Sequence, residues 1–220
     1  DHRDLHSFPT RRSSDLREGA LLASLILPVL VSFSIGAQFL NANAYRRDWA
    51  MQRSLFWQLS WRAPAIQPGT MLLSNDLPMR AYSDNSLTAP LNWIYSGSDP
   101  KPTLEYLLLW PSVREDSVLQ RYQPGLAIEK DYLAAHFYGS TDQVVAFYFN
   151  PPGCLRILDP AIESDNQTLP AQLREAATLS DTRWIVNGPP AQLPPTLYGS
   201  EPAHGWCYYV AKAEIGRAHV

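Results

Sequence analysis

The chain has 220 residues, 18 basic and 21 acidic, a formal charge of −3 and 45% hydrophobic side chains. That length and apolar content suffice for one ordinary domain plus an accessory element, and wholesale disorder is excluded. The near-neutral balance excludes a general nucleic-acid binder, which carries a basic excess.

Both ends read as foreign to the fold. Residues 1–16, DHRDLHSFPTRRSSDL, resemble a translated sequencing adapter, and residues 214–220, EIGRAHV, resemble the opposite adapter. Both segments are set aside as artefact. With them go His2, His6 and His219, leaving His136 and His204. The stretch 17–213 then reads as an interior piece of a longer protein.

Residues 17–44 are expected to form a transmembrane helix. Gly19 to Leu40 runs without a charge, and a hydrocarbon core of ~30 Å needs about 20 such residues. Pro28, Gly36 and several serines are tolerated in such a span. A signal peptide is the rival reading, because Ala42-Asn43-Ala44 has a small-x-small cleavage pattern, but its apolar region should be shorter, about 7–15 residues.

Residues 45–63 read as an amphipathic helix lying at the membrane interface. Tyr45, Trp49, Phe56, Trp57 and Trp61 interleave with Arg46, Arg47, Arg53 and Arg62, opposed only by Asp48. Trp and Arg both favour the headgroup layer. The same pattern fits a helix packed on the following domain, and both roles can coexist. Ala63-Pro64 ends the helix.

Residues 64–213 are expected to form a soluble mixed α/β domain, with nine basic and fifteen acidic residues. Strands are expected near Thr70–Ser74, Leu104–Trp110, Gln143–Phe149, Cys154–Asp159 and Thr182–Asn187. Asn150-Pro151-Pro152-Gly153 marks a hairpin. Helices are expected from a cap at Asp84, Asn85 or Ser86 to about Tyr95, with Pro90 awkwardly deep, and over Leu169–Leu179 and His204–Ala213. The segment 126–138 fits either a strand or a short helix. The implied order is β-α-β-β-β-α-β-α.

Chemistry-bearing patterns are sparse. No phosphate-binding glycine loop, nucleophile elbow, HExxH or CxxC string occurs, so no cofactor or metal is expected. His136 lies in an apolar run and reads as a core or interface histidine, whereas His204 reads as a solvated loop residue. Glu115-Asp116 and Glu163/Asp165 read as acidic loops. Asp76 and Asp84 bracket a loop near the membrane end and are the only carboxylates offered as catalytic candidates, weak ones. Cys154 and Cys207 form a disulfide if the domain lies outside the cytoplasm, and otherwise two buried thiols. The sequon Asn166-Gln167-Thr168 is too short to be informative alone.

The apolar helix, the Trp/Arg collar and PAIQPGTMLLSND resemble the exit from the last span of bacterial glycosyltransferases of the protein-mannosyltransferase-like superfamily. QLSWRAPAIQPGT, SDNSLTAPLNWIY, PPGCLRILDP and HGWCYY are similar to a group of bacterial polytopic membrane proteins, from which no activity carries over. The resemblance implies many preceding spans and a small extracytoplasmic α/β domain at the end. In those glycosyltransferases the catalytic aspartate lies in an early loop that this stretch does not contain, so the implied role here is structural or acceptor-binding. Expected partners are the lipid bilayer of the plasma membrane and other transmembrane helices of the parent, with no nucleic acid. A non-enzymatic envelope or interaction module and a secreted domain are the alternatives. Against an extracytoplasmic domain stand Arg46, Arg47 and Arg53 after the span, with only Arg17 before it.

Overall fold

The structure, a computed structural model, describes residues 13–97, 102–110 and 123–218, with side chains from 24 to 214. Two compact units divide between Arg46 and Arg47. The first consists of the leading part of helix α1 (Ser13–Arg62), which runs through Pro28. Between Leu25 and Leu40 its large apolar side chains are 48–76% exposed. This is one helix long and apolar enough to cross a membrane, with a mean hydropathy of 1.7 over its best window.

The second unit is a mixed α/β domain and includes the rest of α1. Its elements are β1 (Met71–Ser74), α2 (Asp84–Tyr95), β2 (Thr103–Leu104), β3 (Leu107–Leu109), β4 (Ala127–Tyr132), β5 (Ala135–Ser140), β6 (Val144–Tyr148) and β7 (Arg156–Ile157). Helices α3 (Pro160–Glu163), α4 (Ala171–Ala177), α5 (Pro195–Tyr198) and α6 (Trp206–Ala218) follow, with a 3₁₀ turn at Thr182–Trp184. One sheet has the order β3-β1-β6-β7, its first three strands parallel and β7 antiparallel. A second sheet has the order β2-β5-β4.

The central strands are apolar on both faces because both faces are covered. Alternation sends Leu72, Leu108 and Phe147 to one side, where they meet Leu55, Phe56 and Leu59 of α1 and Leu87 and Leu91 of α2. Met71, Leu73, Leu107, Leu109, Val144 and Ala146 point the other way, against Leu173 and Ala176 of α4 and Phe137 of β5. The compact unit that holds this core begins at Arg47, and the turns of α1 that follow supply part of it.

Side chains close the gaps that the backbone leaves. Helix α2 is capped by Ser83, one residue before the expected candidates, through a reciprocal pair with Ser86. Pro90 cannot donate to the Ser86 carbonyl, and Gln52 Nε2 of α1 donates to it instead, at 3.3 Å. The outer edge of β3 is covered by α2: Thr88 Oγ1 accepts from the Leu108 amide at 3.1 Å, and Asn92 Oδ1 from the Tyr106 amide at 3.0 Å. Asn75 joins the ends of β1 and β6, accepting from the Phe149 amide at 2.8 Å and donating to the Phe149 carbonyl at 3.0 Å.

Three expected elements change. The strand expected over Leu104–Trp110 divides between β2 and β3, in different sheets. The one expected over Thr182–Asn187 is a 3₁₀ turn, because Asp181 caps it by accepting from the Arg183 amide at 2.9 Å. The undecided segment 126–138 is a hairpin, β4–β5, turning at Leu133 with φ of +32°.

Candidate functional site

The residues expected at the membrane interface fall into two sets. Tyr45, Arg46, Arg47 and Trp49 are exposed. Arg53, Trp57 and Trp61 have partners within the domain. Arg53 Nε donates to the Tyr198 carbonyl at 3.0 Å, Trp57 Nε1 donates to the same oxygen at 3.3 Å, and Trp61 Nε1 donates to Glu201 Oε1 at 2.9 Å. These three side chains are packed against the domain, where half-buried Trp N–H groups take fixed partners.

From Asp48 to Arg62 successive turns of α1 are tied to segments distant in sequence. Asp48 Oδ2 accepts from the amides of Arg80 and Ala81 at 3.0 and 2.9 Å. Gln58 Oε1 accepts from the Leu155 amide at 2.8 Å. Arg62 is buried and paired with Glu214, within the tail that resembles adapter. Burial, and secondarily the charge of Arg156, bring its guanidinium down to about 10.

Between these ties lies a groove of about 320 Å³, lined by Ala50, Arg53, Ser54, Trp57, Gln58, Trp61 and Pro202. Its far wall is the segment after α5. Tyr198 packs its ring on Trp49 and Phe56 at centroid distances of 5.6 and 5.7 Å, and burial pushes its phenol up to about 12. Gly199 then turns the chain with φ of +72°, and a Cβ there would lie 2.8 Å from Arg53 Nη2. Higher up, His204 stacks on Tyr208 at 3.6 Å and pairs with Glu201 at 3.1 Å.

Cys154 and Cys207 are bonded to each other, Sγ–Sγ 2.09 Å, across a separation of 53 residues. The bridge joins the turn after β6 to the first turn of α6. Tyr208, the next residue, meets Trp61 edge-on at 5.4 Å.

The two catalytic candidates serve separate partners. Asp84 takes Lys130 Nζ at 3.3 Å and the Tyr132 hydroxyl at 3.2 Å, holding α2 to β4. Asp76 is exposed just past β1. Burial raises the neighbouring Tyr82 phenol, and the Asp76 charge adds to that rise. His136 is half-exposed on β5 rather than in the core, paired across the hairpin with Asp131 at 2.7 Å. Glu163, expected in an acidic loop, is buried beside Arg156 at 3.7 Å and Asn166 at 2.5 Å. Glu115 and Asp116 lie outside the described residues.

A second cleft of about 490 Å³ is bordered by Asp142, Asp159 and Asp181. Asp159 caps α3 through the Ala161 amide at 2.9 Å, and side-chain hydrogen bonds from Arg183 hold the Asp181 carboxyl below its ordinary value. Among the described residues no three His, Cys, Asp or Glu side chains converge to hold a metal ion.

Sequence reasoning reached Arg53, Trp57 and Trp61 through composition but missed Tyr198, Gly199 and Pro202. The acceptor there is a main-chain carbonyl, which carries no side-chain signal; Gly199 is of a residue type that marks a turn. No family model, no curated protein and no solved structure matches the chain.

Proposed function

We propose that this chain is the membrane-anchored end domain of a polytopic protein resembling the protein-mannosyltransferase-like glycosyltransferases. Its domain lies outside the cytoplasm and serves a structural or acceptor-binding role rather than a catalytic one. The observation that carries this reading is the Cys154–Cys207 bridge in a domain whose first helix is continuous with the exposed apolar stretch. Disulfides persist in oxidising compartments. The resemblance supplies the parent, and the commitment of Asp84, Asp159, Asp181 and Glu163 to structural partners supports the non-catalytic role.

The test is thiol accessibility in intact bacterial cells expressing the full chain. Gln167 is exposed between α3 and α4, and Gln167→Cys adds one free thiol beside the native bridge. An impermeant maleimide is expected to label it before lysis. Labelling only after lysis places the domain in the cytoplasm and overturns the proposal. Recovery of a new N-terminus at Tyr45 by mass spectrometry overturns the anchor and supports a secreted domain.

A further inference from the structure

We propose that the groove on α1 binds the phosphate of an anionic phospholipid, with phosphatidylglycerol as the simplest case. The proposal rests on the membrane-anchor reading above and adds a specific ligand to it. Arg47, Ala50, Arg53, Ser54, Trp57, Gln58 and Trp61 recur every three or four residues and so share one helix face. Arg47 is exposed, and among the described residues neither it nor Arg53 is paired with a carboxylate. Asp48, the one acid of this segment, is taken up by the amides of Arg80 and Ala81.

Arg53 is held before any ligand arrives. Its Nε is bonded to the Tyr198 carbonyl, and Nη2 lies against Gly199, where a side chain would displace it. Among the described residues its remaining guanidinium N–H groups have no hydrogen-bond acceptor, and a fixed fork of this kind suits phosphate oxygens. Trp57, Trp61, Ala50 and Pro202 give the groove apolar walls. The acid at its far end, Glu201, is engaged by Trp61 and His204. The site is therefore cationic at the end nearer in sequence to the apolar stretch and apolar above it.

Charge complementarity selects the occupant. Residues 64–213 carry nine basic and fifteen acidic residues, so an anionic surface repels the domain at large and is attracted only by the arginines of α1. Cations beside a span attract anionic lipid. A groove of about 320 Å³ is at the small end of ligand sites and fits a headgroup rather than a whole lipid.

The experiment uses the full chain in mild detergent, with lipid retention measured by native mass spectrometry. Phosphatidylglycerol is expected to bind at least tenfold more tightly than phosphatidylcholine. Arg47→Gln, at an exposed position, should reduce that preference at least fivefold, and Arg53→Gln should do the same. Arg80→Gln, a cation beside Asp48 and outside the groove, should leave it unchanged. Equal binding of the two lipids overturns the proposal, as does an equal loss in Arg80→Gln, which signifies diffuse attraction. Competition by glycerol 3-phosphate at the lipid's own concentration also overturns it, because the site then takes a free phosphate ester. Flotation with phosphatidylcholine vesicles separates the two readings. A chain that does not float has no anchor, whereas one that floats without phosphatidylglycerol preference loses only the groove.

Discussion

The Nε of Arg53 and the carbonyl oxygen of Tyr198 are 3.0 Å apart, although 145 residues separate them in sequence. Trp57 donates to the same oxygen, so one main-chain acceptor receives two side chains from successive turns of α1. The Tyr198 ring is clamped by Trp49 and Phe56. The segment after α5 is thereby laid along α1, and the chain must turn away immediately afterwards. Gly199 makes that turn.

Replacing Gly199 by alanine is expected to destabilise the domain by about 2 kcal/mol. The conformation at φ of +72° and ψ of −175° is a glycine region with a strain cost of about 1–3 kcal/mol for other residues. The added Cβ would also press on Arg53 Nη2, 2.8 Å away. Urea unfolding checks the loss. In a double-mutant cycle with Arg53→Ala the two costs should be less than additive; strict additivity means that the close approach is irrelevant.

The Cys154–Cys207 bridge closes a loop with a separation of 53 residues. In the chain-entropy treatment such a loop is worth about 4 kcal/mol. Replacing both cysteines by serine should lower stability by roughly that amount, and dithiothreitol should lower the melting temperature of the unmodified chain alone. An unchanged melting temperature under reduction shows that the bridge does not form in solution.

What could be read from sequence follows from where the information resides. The strands β1 and β6 announced themselves as short apolar runs because both of their faces are buried. Cys154 and Cys207 were visible as a pair, but not how α6 uses them to sit beside Trp61. The 3₁₀ turn at Thr182–Trp184 looked like a strand because Trp, Ile and Val favour strands, and Asp181 overrode them with a local cap. Composition marks Arg53, Trp57 and Trp61 as one collar on α1, but not that Tyr198 and Glu201 accept from them. Gln52 filling the carbonyl left by Pro90 joins two helices and is invisible until both are placed.

Alkaline pH should unfold the domain through its tyrosines. Tyr95 donates to the Ala63 carbonyl and Tyr106 to the Ile66 carbonyl, both at 2.8 Å. Burial pushes the phenols of Tyr106 and Tyr198 up to about 12 and that of Tyr95 higher still. Unfolded tyrosine ionises near 10. Stability from these groups is therefore fully present below about pH 10 and is lost as pH rises toward 12, each phenol adding up to ~1.4 kcal/mol per pH unit to the slope. The urea midpoint should be flat from pH 7 to 9 and fall steeply above 10. Tyr95→Phe and Tyr106→Phe should each flatten the fall, and a midpoint unmoved at pH 11 contradicts the assignment.

Where the chain is cut should decide whether it folds. A fragment from Arg47 to Ala213 lacks the exposed apolar residues Leu25 to Leu40 and retains Leu55, Phe56 and Leu59, which are 0%, 1% and 0% exposed. It is expected to be soluble without detergent and to unfold cooperatively. A fragment from Pro64 to Ala213 lacks those three core side chains together with the partners of Ser86, Leu155, Tyr198 and Glu201. Loss of each large core side chain costs about 2–5 kcal/mol, against a total stability of about 5–15 kcal/mol for an ordinary domain. The shorter fragment should therefore show no near-ultraviolet circular dichroism and no sharp melting transition, although it keeps every strand. If it folds as well as the longer one, α1 is an appendage and not part of the core. If the longer fragment is recovered only in detergent, the arginine- and tryptophan-bearing turns of α1 hold membrane on their own.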